Sequence, residues 1–461
     1  MIAFAALRLA ALTRYPLWAD EAWTMDAGTG SLRAVLRRHA DDQSHPPLFY
    51  LLLWIWRWIG GDGLAWVRLL PGVIGVATAI PMLALARAVR LSERASWLAL
   101  AIGAGSGFLV SYSAELRNYG LMAALAAASL ALWLRARDEG GRRNWVALTV
   151  VNVLLVHSHY FGVFIVVAEW IDALGWKRGR LRGMTLSGAC TALSLIPWLA
   201  ATARRATMTG RRLENVTWIQ RPGAGDPLDV VTATIGSTQS LSLDLAIAVV
   251  AVTGIVLWAW RSRAAPHGVG VRVLLLAVVV PIAIVFVASV TGPRSLWVTR
   301  YLIVVAPPLV VLLAGAVDGL MPARLTPVAA ALAMVPAALT VWSLYRGMEK
   351  PRYDLIAQQV ADGESAPNAV IFTDDRAPMI YAVRNSASLL SRPVSVRGVS
   401  GAARVRADSG WYSWNETLST TGIPPAAQLL RNGYLVGPEV AARSDRDSLV
   451  AIRFRRRAPA P

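Results

Sequence analysis

The chain has 461 residues, of which 55% are hydrophobic and only 16% charged, a balance that excludes an ordinary water-soluble globular protein. A formal charge of +18 would suggest nucleic acid in a soluble chain, but the arginines cluster between apolar runs, where headgroups and topology account for them. No nucleic-acid partner is expected. Cys190 is the only cysteine, which excludes an intrachain disulfide and a cysteine metal cluster.

Residues 1–12 are apolar but short, and Tyr15-Pro16 is a poor small-residue cleavage site, so no cleavable signal peptide is expected and they read as a short first membrane helix. A spanning helix needs about 20 predominantly apolar residues. Further spans are predicted over 64–86, 95–112, 119–134, 145–156, 160–176 and 184–201, then 241–260, 273–290, 299–317 and 325–345. That makes about 11 spans. The pair 145–156 and 160–176 has a second reading, one long helix followed by a half-helix.

Orientation follows from the basic loops at 87–94, 135–143, 177–182 and 261–272, which two predicted spans separate in each case. With these loops cytoplasmic, residues 18–63 lie outside. The apolar segment 48–59 then does not cross, and its length of about 12 residues suits an interfacial or re-entrant helix. Trp54, Trp56 and Trp58 fit such a position. The chain emerges outside after residue 345. Residues 346–461 read as a small soluble α/β domain, with strands at 368–372 and 449–454 and helices at 353–360 and 426–431. The expected division is therefore 1–345 and 346–461. No internal repeat at a fixed period is visible.

Ionisable residues beside membrane spans are costly and so are candidates for function. On this topology they gather on the outer side. The first outer loop carries Asp20 and Glu21 in Leu17-Trp18-Ala19-Asp20-Glu21-Ala22-Trp23, then His45-Pro46-Pro47-Leu48-Phe49-Tyr50. The next carries Ser113-Ala114-Glu115-Leu116-Arg117-Asn118-Tyr119, and the third His157-Ser158-His159-Tyr160-Phe161-Gly162. Arg294 precedes Arg300-Tyr301-Leu302, and the loop 202–240 holds Arg204, Arg205, Arg211, Arg212 and Arg221.

Taken singly, each has a structural reading. Asp20-Glu21 is a helix start, Glu115 and Arg117 a local ion pair, the histidines interface hydrogen-bonders, and the tandem arginines headgroup contacts. Their convergence at the ends of different spans argues for a site. A carboxylate can take the proton of an acceptor hydroxyl, guanidinium groups can bind a phosphate and stabilise it as it leaves, and aromatic rings can stack on a sugar. The set fits glycosyl transfer from a phosphate-linked lipid without metal or other cofactor. The histidine and carboxylate spacing makes no metal-ligand motif. The competing reading, a transporter or flippase of envelope lipids, predicts paired repeats and broken helices around a midplane site.

On those five strings, taken in order over residues 7–314, the chain resembles the GT-C superfamily, specifically the protein O-mannosyltransferase-like group that includes bacterial lipid A sugar transferases. The resemblance implies a polytopic α-helical membrane protein, here with a small extracytoplasmic α/β C-terminal domain that carries none of the group's motifs. It implies a multi-pass plasma-membrane enzyme with its active site on the extracytoplasmic face. Such an enzyme transfers sugar, with inversion, from a polyprenyl-phosphate donor to a glycan, lipid or protein acceptor. By the same matching Asp20 is the general base, with Glu21 beside it. Glu115, Arg117, Tyr119, His157, His159, Arg204, Arg205, Arg300 and Tyr301 are expected on the donor side, and His45 on the acceptor side or in a structural role. The short first helix departs from the group's pattern.

Overall fold

The computed structural model describes residues 2–10, 12, 17–174, 178–209, 219–238, 240–322, 324–345, 353–362, 369–373, 379–380, 394–399, 402–415, 425–443 and 448–457. Tyr15, Pro16, Arg211 and Arg212 lie outside these described residues. The chain forms two compact units, Met1–Leu12 with Ala27–Trp342, and Thr13–Asp26 with Ser343–Pro461. The segment that carries Asp20 and Glu21 thus groups with the C-terminal residues.

Short helices open the chain: α1 (Ile2–Leu9), α2 (Ala19–Ala27), α3 (Leu32–Asp42) and α4 (Leu48–Gly60). At 13 residues α4 is below spanning length, as the 48–59 reading requires. Trp56 and Trp66 stack with centroids 4.6 Å apart, and each indole N–H donates to the other's carbonyl oxygen. Trp58 stays 79% exposed.

Next come α5 (Leu64–Ala77), α6 (Ala79–Ala88), α7 (Glu93–Gly105), α8 (Gly107–Ser111), α9 (Tyr119–Glu139), α10 (Arg142–Ser158), α11 (Val163–Ala173) and α12 (Arg178–Thr209). The unit is completed by α13 (Asp226–Ile235), α14 (Leu241–Ser262), α15 (Gly268–Thr291), a 3-10 run (Thr299–Val305) leading into α16 (Ala306–Leu320), and α17 (Thr326–Tyr345). Among the described residues, six helices are long and apolar enough to cross a membrane: Leu64–Ala88, Tyr119–Glu139, Leu181–Met208, Leu241–Ser262, Gly268–Thr291 and Thr299–Leu320. Each coincides with a predicted span.

The sequence predicts about 11 spans, whereas six helices among the described residues are long and apolar enough, and two local features also differ from the sequence reading. The predicted span 95–112 is broken at Ser106 (φ −54°, ψ 114°), whose hydroxyl donates to the Thr234 carbonyl oxygen. That oxygen belongs to α13, a helix the apolar pattern did not signal because it is ten residues long and lies in a polar loop. It buries Val230, Val231 and Ile235.

The core of this unit joins Met82, Ala99, Met122, Leu130, Leu274, Val304 and Leu309. Ala123, Ala126, Ala127 and Ala131 of α9 are all buried in it. Small side chains let helices approach closely where lipid removes the hydrophobic driving force between them.

In the second unit, α18 (Tyr353–Asp362) and α19 (Pro425–Arg431) accompany β1 (Ala369–Thr373), β2 (Val394–Gly398), β3 (Ser409–Asn415), β4 (Tyr434–Arg443) and β5 (Ser448–Arg456). The sheet order is β2-β1-β3-β5-β4, parallel through β2, β1 and β3 and antiparallel through β3, β5 and β4. Alternation along the strands divides the core by face. Ile356 and Val360 of α18 pack with Ile371, Trp411 and Ala451, while Leu429 of α19 packs with Phe372, Tyr412, Ile452 and Phe454. The predicted strands and helices of this region are β1, β5, α18 and α19.

Candidate functional site

Within the first unit, four separate segments bring polar rings together. His45 sits just before α4, Arg117 and Tyr119 where the α8–α9 connection enters α9, His159 directly after α10, and Tyr301 in the 3-10 run. Ring centroids of His45 and His159 are 5.1 Å apart, His159 and Tyr301 4.9 Å, His45 and Tyr301 6.1 Å, and Tyr119 and His159 6.2 Å. The Arg117 guanidinium lies 5.7 Å from the Tyr119 ring centre. His45, Arg117, Tyr119 and His159 are all buried, whereas Arg300 and Tyr301 are half-buried.

Local backbone chemistry explains the placement. His159 adopts an extended conformation (φ −162°, ψ 144°) that ends α10, and its Nδ1 accepts the Phe161 N–H at 3.0 Å, starting the 3-10 turn Tyr160–Gly162. Asn118 donates from its amide to the Ser158 carbonyl oxygen at 2.6 Å. The start of α9 is thereby tied to the end of α10, which satisfies a carbonyl that a helix terminus leaves unpaired.

Both histidine tautomers follow from donor counting. A guanidinium only donates, so the 3.3 Å contact between Arg117 Nη2 and His45 Nε2 makes Nε2 the acceptor and leaves the proton on Nδ1. His159 Nδ1 is likewise an acceptor, so its proton is on Nε2. Burial, then the charge of Arg117, holds His45 well below its ordinary value. Burial followed by Arg117 and Arg300 lowers His159 to about 3. Both imidazoles are neutral donors at physiological pH. His45 Nδ1, His159 Nε2 and the Tyr119 hydroxyl are buried and meet no acceptor among the described residues. Three neutral donors beside two arginines make a pocket suited to an oxyanion.

The other predicted residues are distributed as follows. Glu115 is buried, and its carbonyl oxygen accepts the Arg117 N–H at 2.7 Å. His157 Nε2 meets the Ser194 carbonyl oxygen of α12 at 3.2 Å. Arg205 is bound by Asp41 of α3 through both its Nε and Nη2, while Arg204 is exposed. Asp20 and Glu21 occupy the first turn of α2, where negative charge is favourable. Asp20 is partly exposed and Glu21 buried. Among the described residues no three His, Cys, Asp or Glu side chains gather as metal ligands.

Sequence reading missed His39 and Tyr50, which extend the pocket wall. Their ring centroids lie 3.7 Å apart, and burial with Arg117 and Arg38 lowers His39 to about 3. Tyr50 ends the segment His45–Tyr50, but nothing marks His39 within its polar helix.

The chain shares the fold of solved GT-C glycosyltransferases. ArnT from Cupriavidus metallidurans, bound to undecaprenyl phosphate, matches with a TM-score of 0.58 at 13% identity, over 98% of this chain and 97% of that one. The Archaeoglobus fulgidus oligosaccharyltransferase AglB, in complex with an inhibitory peptide and a dolichol-phosphate, matches with a TM-score of 0.51 at 13% identity, over 85% and 63%. The arabinofuranosyltransferase AftD from Mycobacteria matches with a TM-score of 0.52 at 16% identity, over 99% of this chain and 40% of that one. No family model and no curated protein matches the chain.

Proposed function

We propose that this protein is a plasma-membrane glycosyltransferase that transfers a sugar from a polyprenyl-phosphate donor to an extracytoplasmic glycan, lipid or protein. The observation that carries the reading is the pocket of buried donors, His45 Nδ1, His159 Nε2 and the Tyr119 hydroxyl, beside Arg117 and Arg300. Two structures of the same fold hold undecaprenyl phosphate and a dolichol-phosphate, which supports a lipid phosphate as the occupant. His45 then belongs with the donor-side residues, and Arg205, committed to Asp41, acts on the α3–α12 contact. The functional division falls near residue 345, with the soluble domain after it.

In this mechanism the acceptor hydroxyl oxygen attacks the anomeric carbon as the bond from that carbon to the phosphate oxygen breaks. Configuration is inverted and polyprenyl phosphate leaves with the bonding electrons. Asp20 takes the hydroxyl proton, and the arginines and neutral donors stabilise the departing phosphate. The scheme is metal-independent. Neighbouring helix residues point about 100° apart, so Asp20, partly exposed, and Glu21, buried, face different surroundings.

The test uses purified protein in detergent with an undecaprenyl-phosphate-linked sugar. Asp20→Asn should lose about 100- to 10,000-fold in rate, and Glu21→Gln much less. A dead Glu21→Gln beside an active Asp20→Asn transfers the role to Glu21. Normal turnover in both overturns the mechanism.

A further inference from the structure

A second buried polar group joins α9, α10 and α11. Ser129 Oγ lies 2.5 Å from Asn152 Oδ1 and 2.5 Å from Glu169 Oε1, and Asn152 Nδ2 donates to Glu169 Oε2 at 2.9 Å. All three side chains are buried. One turn further along α11, Asp172 is bonded by the Trp133 indole at 3.1 Å, by Arg272, and lies 3.7 Å from Arg137. Asp172 is thus charge-compensated, whereas the partners of Glu169 are both neutral.

Proton counting decides the state of Glu169. Its ring has three oxygen–oxygen or nitrogen–oxygen contacts, and each needs one hydrogen. Ser129 has a single hydroxyl proton, which serves only one of its two oxygen neighbours. With the Asn152 amide as placed, Ser129 donates to Asn152 Oδ1, so a proton on Glu169 Oε1 must donate to Ser129. With that amide turned over, its N–H donates to Ser129, Ser129 donates to Oε1, and a proton on Oε2 must donate to Asn152. Either orientation, which heavy-atom positions alone leave open, requires a carboxylic acid. The alternative places unprotonated oxygens in contact inside apolar surroundings, which is costly.

We propose that Glu169 carries its proton in the folded protein and closes a ring with Ser129 and Asn152 that positions Tyr119, His159 and Phe161. Ser129 lies ten residues after Tyr119, Asn152 seven before His159, and Glu169 eight after Phe161, so the ring pins each helix about 10–15 Å from the pocket residue it carries. The positioning half rests on the proposed lipid-phosphate site. The protonated ring does not.

Infrared difference spectra of wild type minus Glu169→Gln at neutral pH test the ring. A carboxylic C=O stretch that shifts in D2O is expected. Glutamine can both donate and accept in the same ring, so Glu169→Gln should melt within about 2 °C of wild type, while Glu169→Leu should melt about 5 °C lower or more. No carboxylic band, or a Glu169→Gln as unstable as Glu169→Leu, overturns the protonated ring. For positioning, Ser129→Ala should bind undecaprenyl phosphate at least about threefold more weakly, a loss near that of one neutral hydrogen bond, whereas Glu169→Gln keeps wild-type affinity. Wild-type affinity in a folded Ser129→Ala overturns the positioning role. Failure of the wild type to bind undecaprenyl phosphate overturns it too, together with the proposed donor, while the spectra and melts still decide the ring.

Discussion

The ring at Ser129, Asn152 and Glu169 and the pocket at His45, Arg117, Tyr119 and His159 share helices α9 and α10 and differ in their balance of donors and acceptors. With Glu169 protonated as proposed, every contact in the ring has its hydrogen and each member both donates and accepts. In the pocket, three buried donors meet no acceptor among the described residues. A balanced cluster is complete within the chain and holds helices together. An unbalanced one bears a desolvation cost that an incoming acceptor offsets. Donor counting therefore separates structural polarity from ligand-binding polarity without reference to any bound molecule.

The largest expected effect strikes the pocket. Arg117→Ala removes a charge-assisted contact of about 1.5–3 kcal/mol, so undecaprenyl phosphate affinity should fall roughly 10- to 100-fold. Unchanged affinity would make Arg117 a topological residue and end the contrast with the ring.

Acid should separate the two clusters next. His159 has a folded value of about 3 and His39 of about 3, against 6.5 as the ordinary value. Between those limits the unfolded chain binds more protons than the folded one, so the stability is present above about pH 6.5 and is lost as pH falls. The slope is about 1.4 kcal/mol per pH unit for each buried histidine. Melting in detergent should drop steeply below about pH 6, and His159→Gln should flatten the curve. An unchanged slope in that variant would show His159 to be accessible to protons.

Tyr119→Phe gives a sharper contrast of smaller size. Its hydroxyl has no acceptor among the described residues, so removing it should leave the melting temperature unchanged or raised. Undecaprenyl phosphate binding should weaken about 3- to 10-fold, the size of one neutral hydrogen bond. A melting temperature well below wild type, with binding intact, would assign Tyr119 to the fold instead.

Much of the first unit was legible because the cost of apolar surface and of charge in lipid is written locally. Apolar runs and basic loops marked the spans, and each of the six long helices falls on a predicted one. The five strings likewise contained His45, Arg117, Tyr119, His159 and Tyr301. The break at Ser106 was not legible, since it depends on a carbonyl of Thr234 more than a hundred residues away. Neither was the ion pair of Arg205 with Asp41, which joins residues far apart in the chain. In the second unit, β1 and β5 showed as apolar runs, while β2, β3 and β4 mix polar and apolar residues and acquire their pairing only from neighbours.

By itself, then, the amino-acid sequence determined which segments are apolar enough to span, where the basic loops lie, and which chemical groups stand at the ends of helices. These are properties of short stretches. Tertiary structure alone decided that His45 Nε2 accepts from Arg117, which places its proton on Nδ1, and that His159 is turned to donate from Nε2. It also decided that Ser129, Asn152 and Glu169 meet. Each stands in a mostly apolar stretch of its helix, and a hydrogen bond between residues 17 to 40 apart is a matter of packing distance, which periodicity along one helix does not encode.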